Sequence, residues 1–176
     1  MRRRCLISTV LLAVLTPTIP ADQARDARWV QDVSYLSTQL PARAANLFFL
    51  LPREQFNQSI SELTQAIPSL TDGEIMTRMA GIVAMAGDTH TLIPLTQTAT
   101  GFRWLPLSLW WYDDGIYLRS VATPYQKALG AKLVQIGDTP LNQAYQAVST
   151  VISHENEFWV RQESPIYLVM PDVLKV

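Results

Sequence analysis

The chain is poor in the residues on which several kinds of functional site depend. It has one cysteine, Cys5, and two histidines, His90 and His154. Its seven glycines are scattered, so no glycine-rich phosphate-binding loop is present, and no Gly-x-Ser-x-Gly element marks a nucleophile elbow. Because Cys5 lies in an N-terminal segment that we expect to be removed, the mature chain should have no disulfide, thiol nucleophile or thiolate metal site.

The N-terminus has the pattern of a cleavable signal peptide. Three arginines at positions 2–4 precede an almost wholly apolar run at 5–15, prolines follow at 17 and 20, and Ala21 offers a small residue to signal peptidase. The apolar run is eleven residues long, whereas a membrane span needs about twenty, so no stable membrane anchor is expected after cleavage. The pattern therefore predicts a periplasmic or secreted protein; a disordered or buried N-terminal helix is the alternative.

The charge of the mature chain argues against one class of partner. Removal of the three leading arginines leaves 11 basic residues against 15 acidic ones, a formal charge of −4. Nucleic-acid binding needs a clustered basic face, so we expect no nucleic-acid partner. No motif points to a cofactor. The roughly 155 residues that remain are enough for one domain or two small ones.

Residues 27–87 have the apolar spacing of helices. Stripes at i, i+4, i+7 and i+11 predict amphipathic helices over 27–40 and 53–67, and a shorter apolar stretch at 44–51 predicts another. Prolines should end these three helices (Pro41, Pro52 and Pro68). Thr71 and Glu74 match a capping box at the start of a further helix, and Gly87 suits the left-handed position after its end.

The second half has the spacing of strands. Residues 103–112 alternate between two sides, Asp113-Asp114-Gly115 supplies a turn, and 116–121 returns, which predicts a β-hairpin. A short strand is expected at 132–136 and a helix at 141–152. The sequence therefore predicts an α+β fold, with a small helical bundle followed by a hairpin, a strand and a helix.

His90 is the main candidate for chemistry. It lies in the sequence Gly-Asp-Thr-His-Thr at 87–91, just past a predicted helix end, where functional residues are common. It could act as a general base whose tautomer is held by Asp88 or a threonine, or it could merely cap the last helix carbonyls. His154 and Glu155 resemble the start of a zinc-protease helix, but Phe158 occupies the second ligand position. Two histidines are too few for such a site, so no metal is predicted.

Tryptophans offer a candidate binding surface. Trp104, Trp110 and Trp111 could form an aromatic platform for a partner or a sugar; core packing or domain docking is the alternative. The apolar run at 166–170 needs burial on more than one side. Either another domain follows it, or it docks on this same core.

Several segments recur in the order found in one family. They are the helical opening with Trp29, Pro68-x-Leu70-Thr71-Asp72-x-Glu74, Gly-Asp-x-His-Thr at 87–91, Leu105-Pro106-Leu107, Asp114-Gly115-x-Tyr117, Leu129-Gly130-x-Lys132-Leu133-Val134-x-Ile136, and Glu155-Asn156. Together they resemble the N-terminal region of the tail-specific (C-terminal-processing) serine peptidases, in the tricorn-like and retinoid-binding-protein-like branch. The resemblance covers about residues 27–176.

The resemblance implies roles for these parts. His90 takes the place of the general base that precedes the PDZ-like segment in the tricorn-like branch, and Thr91 is its hydroxyl neighbour. A PDZ-like segment binds an extended peptide by adding a strand to a sheet edge, so polypeptides or protein C-terminal tails are the implied ligands. The implied organisation is a signal peptide, a helical N-terminal domain, a PDZ-like β-rich segment and a linker toward a catalytic domain (1–21, 22–91, 92–158 and 159–176).

The resemblance also places the nucleophilic serine beyond the region covered here. A general base without a nucleophile supports no acyl-enzyme route, so we expect an exported N-terminal portion of a serine peptidase that is inactive alone. The alternative is a complete extracytoplasmic binding module that uses the hairpin edge and the aromatic face around Trp104 and Trp110. A third hypothesis, a zinc enzyme using His90 and His154, requires bound metal.

Overall fold

The computed structural model describes residues 21–174. The predicted signal peptide lies outside the described residues except for Ala21, at which the first helix begins. The elements in chain order are α1 (Ala21–Arg43), α2 (Arg53–Ala66), α3 (Asp72–Ala84), β1 (Leu107–Tyr112), β2 (Gly115–Val121), β3 (Gln135–Ile136), β4 (Thr139–Pro140), α4 (Leu141–Ser149) and α5 (Glu157–Tyr167). This order confirms the predicted α+β class. No helix among the described residues is both long and apolar enough to cross a membrane.

The local signals for α2 and α3 are confirmed. α2 buries Phe56 and Leu63 from its predicted stripe. α3 begins at the predicted capping box, where the Thr71 hydroxyl accepts from the Glu74 amide at 3.3 Å and the Glu74 carboxylate accepts from the Thr71 amide at 2.7 Å. These reciprocal bonds satisfy amides that the first helical turn leaves without partners.

Two proline-based predictions are wrong. α1 does not end at Pro41 but continues to Arg43, because a proline in the last turn removes only one intrahelical bond. The stretch at 44–51 is not a helix but a series of turns. These turns are closed by backbone hydrogen bonds between residues three positions apart, such as the one from Phe49 N–H to the Asn46 carbonyl at 2.9 Å. Pro52 disfavours helical geometry in the residue before it, and the turns still bury Leu47 and Leu51.

Asp72 ties the first helix to the start of the third. Its Oδ1 accepts from Trp29 Nε1 and from Arg25 Nε, each at 2.7 Å. The pKa of Asp72 lies below its usual value. The largest cause is the hydrogen bond from Trp29, and the next is the hydrogen bond from Arg25.

This contact predicts an acid-sensitive part of the stability. Since the pKa of Asp72 is lower in the folded chain than the roughly 3.9 of an unfolded aspartate, its full contribution to stability is present above that value. The contribution is lost as the pH falls from there through the lower pKa of the folded chain. Asp72→Asn should lower the free energy of unfolding by about 1 kcal/mol at pH 7, discounted because the carboxylate is largely exposed, and by much less at pH 3. Urea unfolding at the two pH values measures this. Asp113→Asn, in the exposed hairpin turn, controls for removal of one negative charge; an equal loss for Asp72→Asn at both pH values would contradict the assignment.

The predicted hairpin is confirmed. β1 pairs antiparallel with β2, with Tyr112 opposite Gly115 next to the turn. The predicted alternation also holds, since Leu109 is buried in the core while Trp110 and Tyr112 are exposed. One face of the hairpin therefore covers the core and the other meets solvent.

The outer edge of β2 is already occupied by the chain itself. Gly130 N–H donates to the Leu118 carbonyl at 2.9 Å, and Leu118 N–H donates to the Ala131 carbonyl at 3.0 Å. The strand expected over 132–136 is present only as an isolated bridge between Lys132 and Tyr117 and the short β3. This edge therefore has no room for an added peptide strand.

The segment predicted to be a linker is part of the core. Residues 159–167 belong to α5, and Leu168 and Met170 that follow it are fully buried. The Val169 carbonyl accepts from Leu105 N–H at 2.8 Å, just before β1. The apolar run at 166–170 could either precede another domain or pack on this same core, and in the structure it packs on this core.

Two apolar clusters share one helix. The first lies among α1, α2 and α3 and includes Phe56 and Ile75; the second lies among the hairpin, α4, α5 and the buried run after it, and includes Ile116. α3 contributes Ala80 to the second cluster and Ile75 to the first. The chain that leaves α3 therefore emerges at the junction of the two, where it can meet the segment between α4 and α5.

Candidate functional site

The turn after α3 places residues 88–91 at the surface. Gly87 has a φ of +66°, the left-handed conformation that the sequence predicts, and its N–H donates to the Ala84 carbonyl at 3.1 Å. A Cβ at this position would lie 2.8 Å from Leu50 Cδ1, but that methyl group ends an exposed side chain that can move, so it is the backbone conformation that favours glycine. We call residues 87–92, which follow this turn, the His90 loop.

Asp88 organises the His90 loop. Its Oδ1 accepts from the His90 amide at 3.0 Å, and its Oδ2 accepts from the Thr91 hydroxyl at 2.5 Å. The pKa of Asp88 is lowered, chiefly by the hydrogen bond from the Thr91 hydroxyl and next by the one from the His90 amide. Asp88 is therefore ionised at neutral pH, and the Thr91 hydroxyl donates to it rather than to a ligand.

Two hydrogen bonds join the His90 loop to the segment between α4 and α5. The Thr89 amide donates to Glu155 Oε1 at 3.4 Å, and the buried Ser153 hydroxyl donates to the Thr91 carbonyl at 2.8 Å. These partners are 66 and 62 positions apart in the sequence. The fold thus brings together two segments, 87–91 and Glu155-Asn156, that carry the family resemblance separately.

The His90 side chain faces solvent. It is 92% exposed, and its Nδ1 lies 3.7 Å from Asp88 Oδ1, an ion-pair distance when the ring is protonated. Within residues 21–174 no serine or threonine hydroxyl donates to the ring, and the ring makes no hydrogen bond to α3 carbonyls, so the helix-capping alternative is not what the structure shows. An exposed imidazole beside a carboxylate can accept a proton or ligate a metal.

His90 also belongs to a group with metal-ligand chemistry. Asp88, His90 and Glu155 each offer one ligand atom, and these atoms lie within 4.8 Å of one another. One imidazole and two carboxylates suit divalent transition metals. His154 is not in this group, so the described residues do not form the zinc pairing of His90 with His154. The Nδ1 of His154 lies 2.6 Å from the Ile152 carbonyl instead.

Trp104 lines a cavity of about 460 Å³, which we call the Trp104 cavity. Its walls are residues 92–96, residues 151–153 and one face of α5. Four large apolar side chains at its rim are partly exposed, while Ile152 and Tyr167 at its floor are buried (rim: Leu92, Trp104, Trp159 and Ile166). Leu92 is two residues beyond His90, and Ser153 binds the Thr91 carbonyl, so the cavity adjoins the His90 loop.

The three candidate tryptophans do not share one platform. Trp110 lies outside the Trp104 cavity, with the Arg119 guanidinium 4.8 Å from its ring centre. Trp111 packs inward, edge-on against Tyr145 at 4.9 Å between ring centres. Of the three tryptophans, only Trp104 therefore remains a candidate for a binding surface at this cavity, whereas Trp111 packs in the core.

Sequence reasoning missed the α5 wall of the cavity. Trp159, Glu163 and Ile166 are spaced i, i+4 and i+7, which places them on one helical face. A proline such as Pro165 is typical of the start of a new segment, yet α5 continues through it. Because Pro165 has no N–H to donate to the Arg161 carbonyl, that carbonyl accepts from the Ser164 hydroxyl at 3.4 Å instead. The Asn156 side chain accepts from the Trp159 amide at 3.1 Å, and asparagine before a helix is an N-cap signal that could have revealed α5.

Comparison with known proteins gives no match: no family model, curated protein or solved structure is significantly similar to this chain. The resemblance to the tail-specific peptidases therefore rests on the motifs alone.

Proposed function

We propose that the chain is the N-terminal region of an exported serine peptidase of the tail-specific type, and that it holds an extended polypeptide beside His90. The observation that carries the proposal is the contact between the two motif segments. The Gly-Asp-x-His-Thr element and Glu155-Asn156 are far apart in sequence, yet the Thr89 amide reaches Glu155 and the Ser153 hydroxyl reaches the Thr91 carbonyl. A family site assembled from both segments requires that proximity.

Each residue of the loop has a role in this proposal. His90 is the general base, and its exposed imidazole is open to a polypeptide or to a nucleophile. Asp88 holds the loop by accepting hydrogen bonds from the His90 amide and the Thr91 hydroxyl. Thr91 is a positioning residue, since its hydroxyl is committed to Asp88.

The finer architecture belongs to the same proposal. Residues 22–91 correspond to the small helical bundle of the family, and residues 92–158 to its PDZ-like segment. Because the outer edge of β2 is covered by residues 130–133, the polypeptide does not add a strand there. It lies instead across the His90 loop and the mouth of the Trp104 cavity, where four large apolar side chains are partly exposed.

Photo-crosslinking tests the binding surface. A photoreactive phenylalanine analogue at Leu92 should crosslink an unstructured, reduced and alkylated polypeptide, because Leu92 is at the rim of the cavity and only two residues after His90. The same analogue at Tyr35, an exposed position on α1, is the matched control and should give only background labelling. Equal labelling at the two positions, or none at Leu92, would contradict the proposal.

The catalytic part has its own test. The resemblance places the nucleophilic serine C-terminal to the region covered here, and a base without it cannot start acyl transfer. The 176-residue chain should therefore hydrolyse no peptide, and the coding sequence after codon 176 should encode serine-peptidase sequence in frame, intact or decayed. Hydrolysis by the 176-residue chain that His90→Ala abolishes would contradict this division of roles.

One observation favours a second candidate, an exported polypeptide-binding module without catalysis. The Thr91 hydroxyl is committed to Asp88, and within the described residues no hydroxyl donates to the His90 ring. Binding at Leu92 with no serine-peptidase sequence downstream would select this candidate.

A further inference from the structure

One carboxylate in the wall of the Trp104 cavity lacks a cationic partner. Glu163 is half-buried and lines the cavity, but none of the ion pairs within residues 21–174 includes it. The basic residue nearest to it along α5, Arg161, instead places its guanidinium 5.1 Å from the ring centre of Trp111. Glu163 therefore adds an uncompensated negative charge to a mostly apolar cavity.

Aromatic side chains accompany this charge. Trp159 precedes Glu163 by one helical turn on the same face of α5, and Trp104 lines the cavity from the chain that leads into β1. The face of an indole ring attracts a cation, and the attraction increases when the site is partly desolvated. Tyr167 at the floor adds a third ring.

We infer that the Trp104 cavity binds the side chain of a basic residue, lysine or arginine, in the polypeptide held beside His90. This inference rests on the proposed function and names its substrate class. The apolar walls suit the aliphatic stem of such a side chain, while Glu163 and the two indoles suit its charged end. An apolar side chain would fill the same volume but would desolvate Glu163 without giving it a partner.

The surroundings carry the same sign of charge. The His90 loop beside the cavity carries Asp88, and Glu155 contacts that loop through the Thr89 amide. These carboxylates favour the approach of a basic segment over an acidic one. The preference that follows is for polypeptides with a basic residue in an otherwise apolar stretch.

A pair of matched peptides tests the inference on the full chain. One is a blocked octapeptide with a central lysine, and the other has norleucine at that position, which keeps most of the aliphatic stem and removes the charge. Calorimetry should show the lysine peptide binding about tenfold more tightly. Equal affinities, or tighter binding of the norleucine peptide, would overturn the inference.

Two variants assign the effect to the cavity. Glu163→Gln should remove most of the tenfold preference, because the lysine peptide loses its partner and the norleucine peptide no longer desolvates a carboxylate. Glu54→Gln at an exposed position of α2 should change the affinity of neither peptide. Trp159→Ala should weaken binding of the lysine peptide about tenfold, whereas Trp110→Ala, an equally exposed tryptophan outside the cavity, should not. Urea unfolding of each variant shows whether it is folded. A lysine preference that survives Glu163→Gln in a folded protein would overturn the inference.

The failure of this inference is distinguishable from failure of the proposed function. If polypeptides without lysine or arginine crosslink at Leu92 as strongly as basic ones, polypeptide binding stands and the basic specificity is wrong. If the lysine peptide binds in a Glu163-dependent way but no polypeptide crosslinks at Leu92, the cation site stands and the proposed function is wrong.

Discussion

Leu168→Ala is expected to lower the free energy of unfolding by about 3 kcal/mol. Leu168 is fully buried, and truncation of a buried leucine to alanine removes apolar packing and leaves a cavity, at a cost of about 2–5 kcal/mol. Urea denaturation followed by tryptophan fluorescence measures the change. The effect is large because the segment after α5 is part of the core, not a linker.

Leu129→Ala is the matched control. Leu129 is 55% exposed in the turn before residues 130–133, so its truncation should change the free energy by about 0.5 kcal/mol or less. Similar losses for Leu168→Ala and Leu129→Ala would show that the buried run does not dock as described. That outcome would also contradict the described end of α5, where the Ser164 carbonyl accepts from the Leu168 amide.

Phe56→Ala is expected to lower the free energy of unfolding by about 4 kcal/mol. Phe56 is 1% exposed in the first apolar cluster and packs edge-on against Phe48, with 5.8 Å between ring centres. Truncation of a buried phenylalanine costs about 3–5 kcal/mol, and the edge-on pairing of the two rings contributes to that cost. Phe49, which is 85% exposed in the turns at 44–51, provides the control, and Phe49→Ala should leave the free energy of unfolding nearly unchanged.

The same variant tests how the two clusters are coupled. α3 contributes Ile75 to one and Ala80 to the other, so disruption of the first should destabilise both. Circular dichroism and tryptophan fluorescence should then give the same urea midpoint for Phe56→Ala. Two separate transitions, with only one moved by the substitution, would show that the clusters unfold independently.

Local chemistry made much of the fold predictable. The capping box of Thr71 and Glu74, the apolar stripe of α2 and the alternation of β1 each depend on neighbours within a few residues. The prolines were harder to interpret because their effect depends on position. Pro41 lies in the last turn of α1, and the carbonyl that Pro165 leaves free is taken by the Ser164 hydroxyl.

The site was predictable only in part, because it depends on long-range contacts. The Gly-Asp-x-His-Thr spacing singles out His90 and Thr91, but no spacing shows that Glu155 and Ser153 come back to this loop. The helical spacing of Glu163 from Trp159 is visible in the sequence, but only the packing of α5 shows that both line one cavity with Trp104. Strand alternation in β1 already separates Trp110 from Trp111, whereas the separation of Trp104 from Trp110 depends on the packing of α5.

The proposed function requires that the His90 loop and residues 151–155 act together as one polypeptide-binding surface. Amide NMR spectra of the ¹⁵N-labelled chain, recorded as an unstructured lysine-containing polypeptide is added, test this most directly. We expect the amides of Thr91, Leu92 and Ser153 and the Trp159 indole to shift together, while those of α1 stay in place. Shifts confined to other surfaces, with the signals of the His90 loop and Ser153 unmoved, would contradict it.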